Sequence, residues 1–248
     1  WQKRDGRNRQ ALLATWSRLT GVYIPAMHDG TSPPVERVVL SDLDAAAFPH
    51  APIVPFGRPV HDRLRLELAR GCTRGCRFCQ AGMIYRPVRE RAPETVMHQC
   101  DQALKTTGYD DISLLSLSTG DYRCIAPLME QLMQRYACDH VALSLPSLRA
   151  GTLTPELMQQ IKTVRKTGFT IAPEAGSQRL RDVINKNITA DDIVRTVEDA
   201  FALGWKIIKL YFMIGLPTET QEDLEALVAL VHQLRLIKGP GGKKSQIN

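Results

Sequence analysis

The chain has 248 residues, 44% hydrophobic and 23% charged, with a formal net charge of +6. That length and balance suit one large α/β domain and exclude a disordered or low-complexity chain. No run approaches eighteen consecutive apolar residues and no signal-peptide pattern is read at the N-terminus, so a cytoplasmic protein without membrane association is expected.

In chain order, residues 8–20 predict a short amphipathic helix with Ala11, Leu12, Trp16 and Leu19 on one face and Gly21 closing it. From Pro25 to Pro59 the chain is rich in Pro, Asp and Ala without sustained periodicity. An irregular arm with one short strand at Arg37–Leu40 is predicted there. Residues 1–60 are therefore read as an N-terminal helix and linker arm, and 61–248 as the core domain. From residue 64 onward, apolar runs alternate with helical segments. Strands are predicted at Leu64–Leu68, Ile112–Leu117, His140–Leu145, Phe169–Ala172 and Trp205–Ile214. Helices are predicted at Pro93–Thr106, Tyr122–Tyr136, Pro155–Lys166, 177–184, 190–203 and Glu219–Leu236, with proline well placed in the first turn at Pro155. Strict alternation predicts a parallel sheet with helices outside. Right-handed crossovers curl such a series toward a barrel. The chain opens on Trp1 and stops shortly after Gly-Pro-Gly-Gly-Lys-Lys (239–244), which reads as a piece of a longer protein.

Three of the six cysteines, Cys72, Cys76 and Cys79, fall in the run RGCTRGCRFCQ (70–80) after the first strand. The spacing offers three thiolates to one centre and withholds a fourth. A cubane iron–sulfur cluster normally takes four cysteines. One held by three keeps an iron open, as an open position distinguishes a catalytic zinc from a structural one. A zinc site completed by His61 or His98 is the competing reading. Cys100, Cys124 and Cys138 are scattered and read as small buried residues of a protein in a reducing compartment. Between 70 and 91 there are six arginines (70, 74, 77, 86, 89 and 91) against one acid, Glu90. They read as a solvated loop, as an anchor for an anionic cluster and cofactor, or as a rim for RNA. Beyond Phe78 and Tyr85 no aromatic is interleaved, so base stacking is not signalled.

Five segments carry a family likeness: residues 70–83, 115–121, 144–149, 172–176 and 211–220. Together they resemble the radical S-adenosylmethionine (radical SAM) enzymes. The narrower likeness is to a largely uncharacterised bacterial family in which such a core follows a cobalamin-binding-type domain. With these glycine-rich strand ends, the iron–sulfur reading is preferred over zinc.

The resemblance implies an α/β fold, a partial (β/α)6 TIM-like radical SAM barrel truncated in its sixth unit. It implies that Cys72, Cys76 and Cys79 hold a 4Fe–4S cluster, with Phe78 as an aromatic wall before the third cysteine. Ser118, Thr119, Gly120 and Asp121 would meet the methionyl amine of S-adenosylmethionine. Thr-Gly-Asp departs there from the more frequent Gly-Gly-Glu type, and a helix N-cap by Thr119 or Asp121 is the plainer role. Arg149 would pair with the cofactor carboxylate, or form a surface salt bridge. Glu174 would accept the ribose hydroxyls or the substrate, or simply face a helix N-terminus. Ile214, Gly215 and Leu216 would line the adenine, or form a tight strand-to-helix turn.

The implied activity is reductive cleavage of S-adenosylmethionine to a 5′-deoxyadenosyl radical that abstracts hydrogen from a substrate. Implied cofactors are the cluster, S-adenosylmethionine, and cobalamin through a domain outside this chain; no Asp-x-His-x-x-Gly run occurs here. Implied partners are an electron donor such as flavodoxin or ferredoxin and a substrate, either a small molecule or RNA. Likeness of the 174–220 region to methylthiotransferases favours RNA, while the lack of cysteine before Cys72 counts against sulfur insertion. The alternative is a non-catalytic iron–sulfur protein in assembly or electron transfer.

Overall fold

The computed structural model describes residues 8–57, 59–146, 148–152, 154–162, 169–239 and 246–248. These form two compact units, residues 1–41 and 42–248.

In the first unit, helix α1 (Arg9–Trp16) starts where the Asn8 side chain accepts from the Gln10 amide at 3.1 Å. It ends at Ser17, four residues before Gly21, and none of its residues is buried. The short strand expected at Arg37–Leu40 does not form: the segment has no ladder partner, and Val38 is left exposed.

Among the described residues, the second unit contains every strand. Its first ladder is parallel, β1 (Leu64–Glu67) beside β4 (Asp111–Leu115) beside β5 (Ala142–Ser144). A second parallel ladder joins β6 (Phe169–Glu174), β7 (Ile207–Phe212) and β8 (Gln246–Ile247). The six parallel strands run in chain order, three to each ladder. Strand β8 thus supplies the sixth strand of the expected partial barrel. The five connections between these strands carry α3 (Pro93–Thr107), α4 (Ile125–Tyr136), α5 (Pro155–Lys162), α6 (Gln178–Val183), α7 (Ala190–Ala202) and α8 (Gln221–Arg235). The predicted continuation of α5 to Lys166 lies outside the described residues, as do Ser147 and most of the Gly-Pro-Gly-Gly-Lys-Lys run.

The alternation of the sequence explains this arrangement. Leu64 and Leu66 of β1 and Ile112 and Leu114 of β4 are all 3% exposed or less and pair in register. They meet helix faces built at i, i+3, i+4 spacing: Val96, Cys100 and Ala103 of α3, then Leu128, Met129 and Leu132 of α4. Ile193, Val197, Ala200 and Phe201 of α7 continue the same core behind Phe169, Ile171 and Ile208.

Residues 42–60 group with this unit. Leu43 is buried, and its carbonyl accepts from Arg91 Nη1 at 2.6 Å. Helix α3 begins after Ala92, whose side chain cannot cap; the Asp44 carboxylate takes the Ala92 amide at 2.9 Å instead. Two small features, a two-stranded ladder and a short helix, went unread in the sequence. Strands β2 (Ala69–Arg70) and β3 (Arg89–Glu90) pair antiparallel and close the neck of the cysteine loop, and α2 (Gln80–Ile84) lies inside it. Both are too short to carry a periodic signal.

Candidate active site

Parallel α/β barrels place their chemistry at the carboxyl ends of the strands. Here the cysteine loop follows β1, and its three sulfur-bearing side chains line one cleft of about 340 Å³. The loop satisfies sulfur from its own backbone: the Arg74 amide donates to Cys72 Sγ at 3.4 Å and the Gly82 amide to Cys79 Sγ at 3.3 Å, where Cys79 caps α2. Such N–H donors to sulfur are the kind that tune the potential of a bound cluster.

The other walls come from the remaining strand ends. Arg149, beyond β5, brings Nη1 to 3.9 Å from Cys76 Sγ, while its Nη2 is buried without a partner. Glu174 ends β6 with φ of 68°, and its Oε1 accepts from Lys186 Nζ at 3.1 Å. Lys186 Nζ also stands 5.7 Å from the centroid of the Phe78 ring. Leu117, Leu148 and Tyr211 complete an apolar side.

Of the predicted residues, Cys72, Cys76, Phe78, Cys79, Ser118, Arg149 and Glu174 thus share one cleft. Thr119, Gly120 and Asp121 do not line it. They form a 3₁₀ turn, with Thr119 fully buried and its hydroxyl 3.0 Å from that of Ser116. A Cβ at Gly120 would collide with the Thr152 side chain, which explains the glycine. Neither Thr119 nor Asp121 caps the next helix, since α4 begins after Cys124 without a side-chain cap. Asp121 instead takes both Arg74 Nε, at 2.7 Å, and Arg74 Nη2, and accepts the Ser118 hydroxyl at 2.7 Å. Burial opposes ionisation of Asp121, but the Arg74 and Ser118 hydrogen bonds outweigh it and hold the carboxyl below its usual range. The Thr-Gly-Asp segment therefore props the cysteine loop through Arg74.

Ile214 and Gly215 sit on the exposed turn after β7, the Gly215 amide bonded to the Glu219 carboxylate. Leu216 is buried in a separate apolar cluster with Ala175, Leu180 and Ile184. Residues that sequence reasoning missed are Lys186, Asn185 and Tyr211. The first two stand in a turn after α6, where no motif marks them.

The arginine run is committed mainly to the fold. Arg70 forms a two-point ion pair with Glu67, Arg74 holds Asp121, Arg89 donates to the Pro87 and Tyr85 carbonyls, and Arg91 to those of Glu67 and Leu43. Arg77 donates to the Val183 carbonyl. Of the scattered cysteines, Cys100 is buried and its thiol is pushed up to about 12 by burial, and Cys124 is half-buried. Cys138 is exposed, which corrects its reading as a buried residue. All six are free thiols.

Neither His61 nor His98 lines the cleft; His98 lies on α3, bonded to Gln102 at 3.0 Å. Among the described residues no three His, Cys, Asp or Glu side chains stand close enough to ligate a single metal ion. A mononuclear zinc needs all its donors around one atom, whereas a four-iron cluster takes each thiolate on a different iron. Three cysteines around one cleft, with a buried unpartnered guanidinium nitrogen beside them, fit a cluster and its anionic ligand.

Residues 66–231 match the model of the radical SAM superfamily, well over half of the chain. The chain belongs to that superfamily. This radical SAM domain is 42% identical over 170 residues to an uncharacterized protein of Methanocaldococcus jannaschii, covering 68% of this chain and 37% of that one. It is 28% identical over 189 residues to the threonylcarbamoyladenosine tRNA methylthiotransferase MtaB of Treponema pallidum, covering 71% and 37%. Its fold is similar to that of TsrM from Kitasatospora setae, a radical S-adenosylmethionine methyltransferase solved with cobalamin and a [4Fe-4S] cluster. The TM-score is 0.56 at 15% identity, over 69% of this chain and 34% of TsrM. The chain therefore spans little more than a third of the length of the two sequence relatives. Among the described residues no helix is long and apolar enough to cross a membrane.

Proposed function

We infer that this chain is the catalytic core of a radical SAM enzyme, in which Cys72, Cys76 and Cys79 hold a 4Fe–4S cluster with one iron left for S-adenosylmethionine. When bound, the cluster supplies one electron that splits the cofactor into methionine and a 5′-deoxyadenosyl radical, which takes hydrogen from an unreactive carbon. The observation that carries this reading is the meeting of three cysteines, an unpartnered guanidinium nitrogen and a carboxylate in one cleft at the carboxyl ends of parallel strands. Arg149 binds the methionyl carboxylate through Nη2. Glu174, with Oε1 engaged by Lys186, offers Oε2 to the ribose hydroxyls. Phe78 walls the cleft, and Ile214 and Gly215, on the exposed turn after β7, are the proposed adenine contacts. Ser118 is the member of its segment that reaches the cofactor.

Methyl transfer to a carbon, with cobalamin held by a domain outside this chain, is the substrate reading supported by the likeness of the fold to TsrM. A second reading, an RNA acceptor, is favoured by the likeness to the tRNA methylthiotransferase. Its contact surface is not the cysteine-loop arginines, most of which are paired within the fold. Salt-dependent retention of RNA by the full-length protein tests it, and retention that does not change with salt rejects a phosphate-contact mode. A reducing cytoplasm is the compartment that keeps such thiols free, which supports a cytoplasmic protein served by an electron donor such as flavodoxin or ferredoxin.

The decisive experiment is anaerobic iron–sulfur reconstitution of the full-length protein, dithionite reduction and assay for 5′-deoxyadenosine. Wild type is expected to form it, and Cys76→Ala to lose both the brown chromophore and the product. Product from Cys76→Ala would overturn the site assignment. A cluster without product would favour the non-catalytic iron–sulfur alternative.

A further inference from the structure

The turn between α6 and α7 reaches back to the cysteine loop through three separate contacts. Asn185 Nδ2 donates to the Gly75 carbonyl at 2.9 Å and to the Arg74 carbonyl at 3.4 Å. The Arg77 amide donates to the Ile184 carbonyl at 2.9 Å. Lys186 then enters the cleft itself, its ammonium held between Glu174 Oε1 and the face of Phe78. Side chains of Lys186 and Glu174 are only 11% and 15% exposed, so this pair is screened far less than a surface one.

The turn is built to hold this shape. Asn185 and Asn187 both take left-handed backbone, with φ of 54° and 52°, a conformation asparagine tolerates better than most residues. Beneath it, the guanidinium of Arg181, 1% exposed, donates to the carbonyls of Ala175, Gly176 and Ile188. That ties the end of β6, which carries Glu174, to the start of the segment that follows the turn. Gly176 is obligatory here, because a Cβ would run into the backbone of Leu227 in α8.

We propose that residues 184–187 form a positioning latch for the cofactor site. In it Lys186 fixes Glu174 and Phe78 in their cofactor-facing places, and Asn185 fixes the loop between Cys72 and Cys76. The proposal rests on the radical SAM reading above and deepens it. Lys186 is a positioning residue: it acts through Glu174, whose carboxylate would otherwise be free to turn away, and through the ring beside the third cysteine. An ammonium with three donors suits this role, since it can serve a carboxylate on one side and a ring face on the other.

The test uses the reconstituted full-length protein and two readouts other than turnover. These are iron bound per chain and the change in the reduced cluster's electron paramagnetic resonance spectrum on titration with S-adenosylmethionine. Lys186→Gln is expected to keep wild-type iron, since all three cysteines remain, and to weaken cofactor binding about tenfold or more. Lys186→Arg is expected to recover most of the affinity. Lys186→Gln combined with Glu174→Gln should lose less than the sum of the two single losses, because the lysine acts in part through that carboxylate. Asn185→Ala should lose iron to a chelator faster than wild type.

Wild-type affinity in Lys186→Gln overturns the assignment, as does a double variant showing the full sum of both losses. If Lys186→Gln fails to fold by circular dichroism, Lys186→Arg and Glu174→Gln carry the same comparison. A wild-type spectrum that S-adenosylmethionine leaves unchanged overturns the radical SAM reading of the cleft, and the latch with it.

Discussion

Asp223 shows how one carboxylate can hold a corner of this fold. It is 4% exposed and accepts from Ser177, Arg179 and Thr220, the Thr220 amide at 2.9 Å. The hydrogen bond from Arg179, then that from Ser177, hold its carboxyl well below the usual range. A folded-state value below the unfolded one means the stabilisation is present above the unfolded value and is lost as pH falls through the folded one. Thermal melts from pH 6 down to pH 2 should therefore show a steeper acid loss in wild type than in Asp223→Asn, which is expected to be the less stable of the two at pH 7. Parallel acid limbs in the two proteins would remove Asp223 from this role. The same reasoning separates Asp121, paired with Arg74 at the cysteine loop, from a free cofactor ligand. Asp121→Ala should loosen that loop and reduce the iron retained after reconstitution, while leaving the main-chain fold intact by circular dichroism.

Among the elements, α3 depends on a residue from outside itself. Its own N-cap position is Ala92, which has no acceptor, and Asp44 supplies one from 48 residues upstream in the chain. At the other end Thr106 Oγ1 donates to the His50 carbonyl at 2.8 Å, so residues 44–50 run along the helix. Asp44→Ala is expected to cost about 1 kcal/mol, roughly a 2–4 °C fall in melting temperature for a chain of this size. An unchanged melting temperature would mean that water caps the helix equally well. By contrast α7 carries its own box, Thr189 and Asp192 bonding reciprocally at 3.1 and 2.9 Å.

For the whole molecule, the strand ladders set which side chains meet. Leu114 is fully buried in β4, the central strand of its ladder, and belongs to the cluster that joins both ladders to α3, α4, α7 and α8. Leu114→Ala is expected to cost about 2–5 kcal/mol through lost transfer energy and the cavity left behind. Chemical denaturation of the apoprotein measures it, and a loss below about 1 kcal/mol would show that the core closes over the gap. Because the same strands carry the cysteine loop and Arg149 at their ends, a variant this deep is also expected to lower iron retention.

The alternation of apolar strands with 3.6-periodic helices was legible in the residues themselves, and with it the parallel α/β class and the ends of the first five parallel strands to within two residues. The thiol spacing of Cys72, Cys76 and Cys79 was legible too, because those three residues lie within an eight-residue stretch and need no folding to be neighbours. Only the tertiary structure separated Ser118, Arg149 and Glu174, which face the cleft, from Asp121, which props Arg74, and Leu216, which packs inside. Periodicity reports which face of an element is apolar, whereas these roles depend on what each loop meets across the barrel. Asn185 and Gly75 are 110 residues apart and joined by one hydrogen bond of 2.9 Å. Local sequence does not encode such a contact; the packing of the two ladders into one core brings it about.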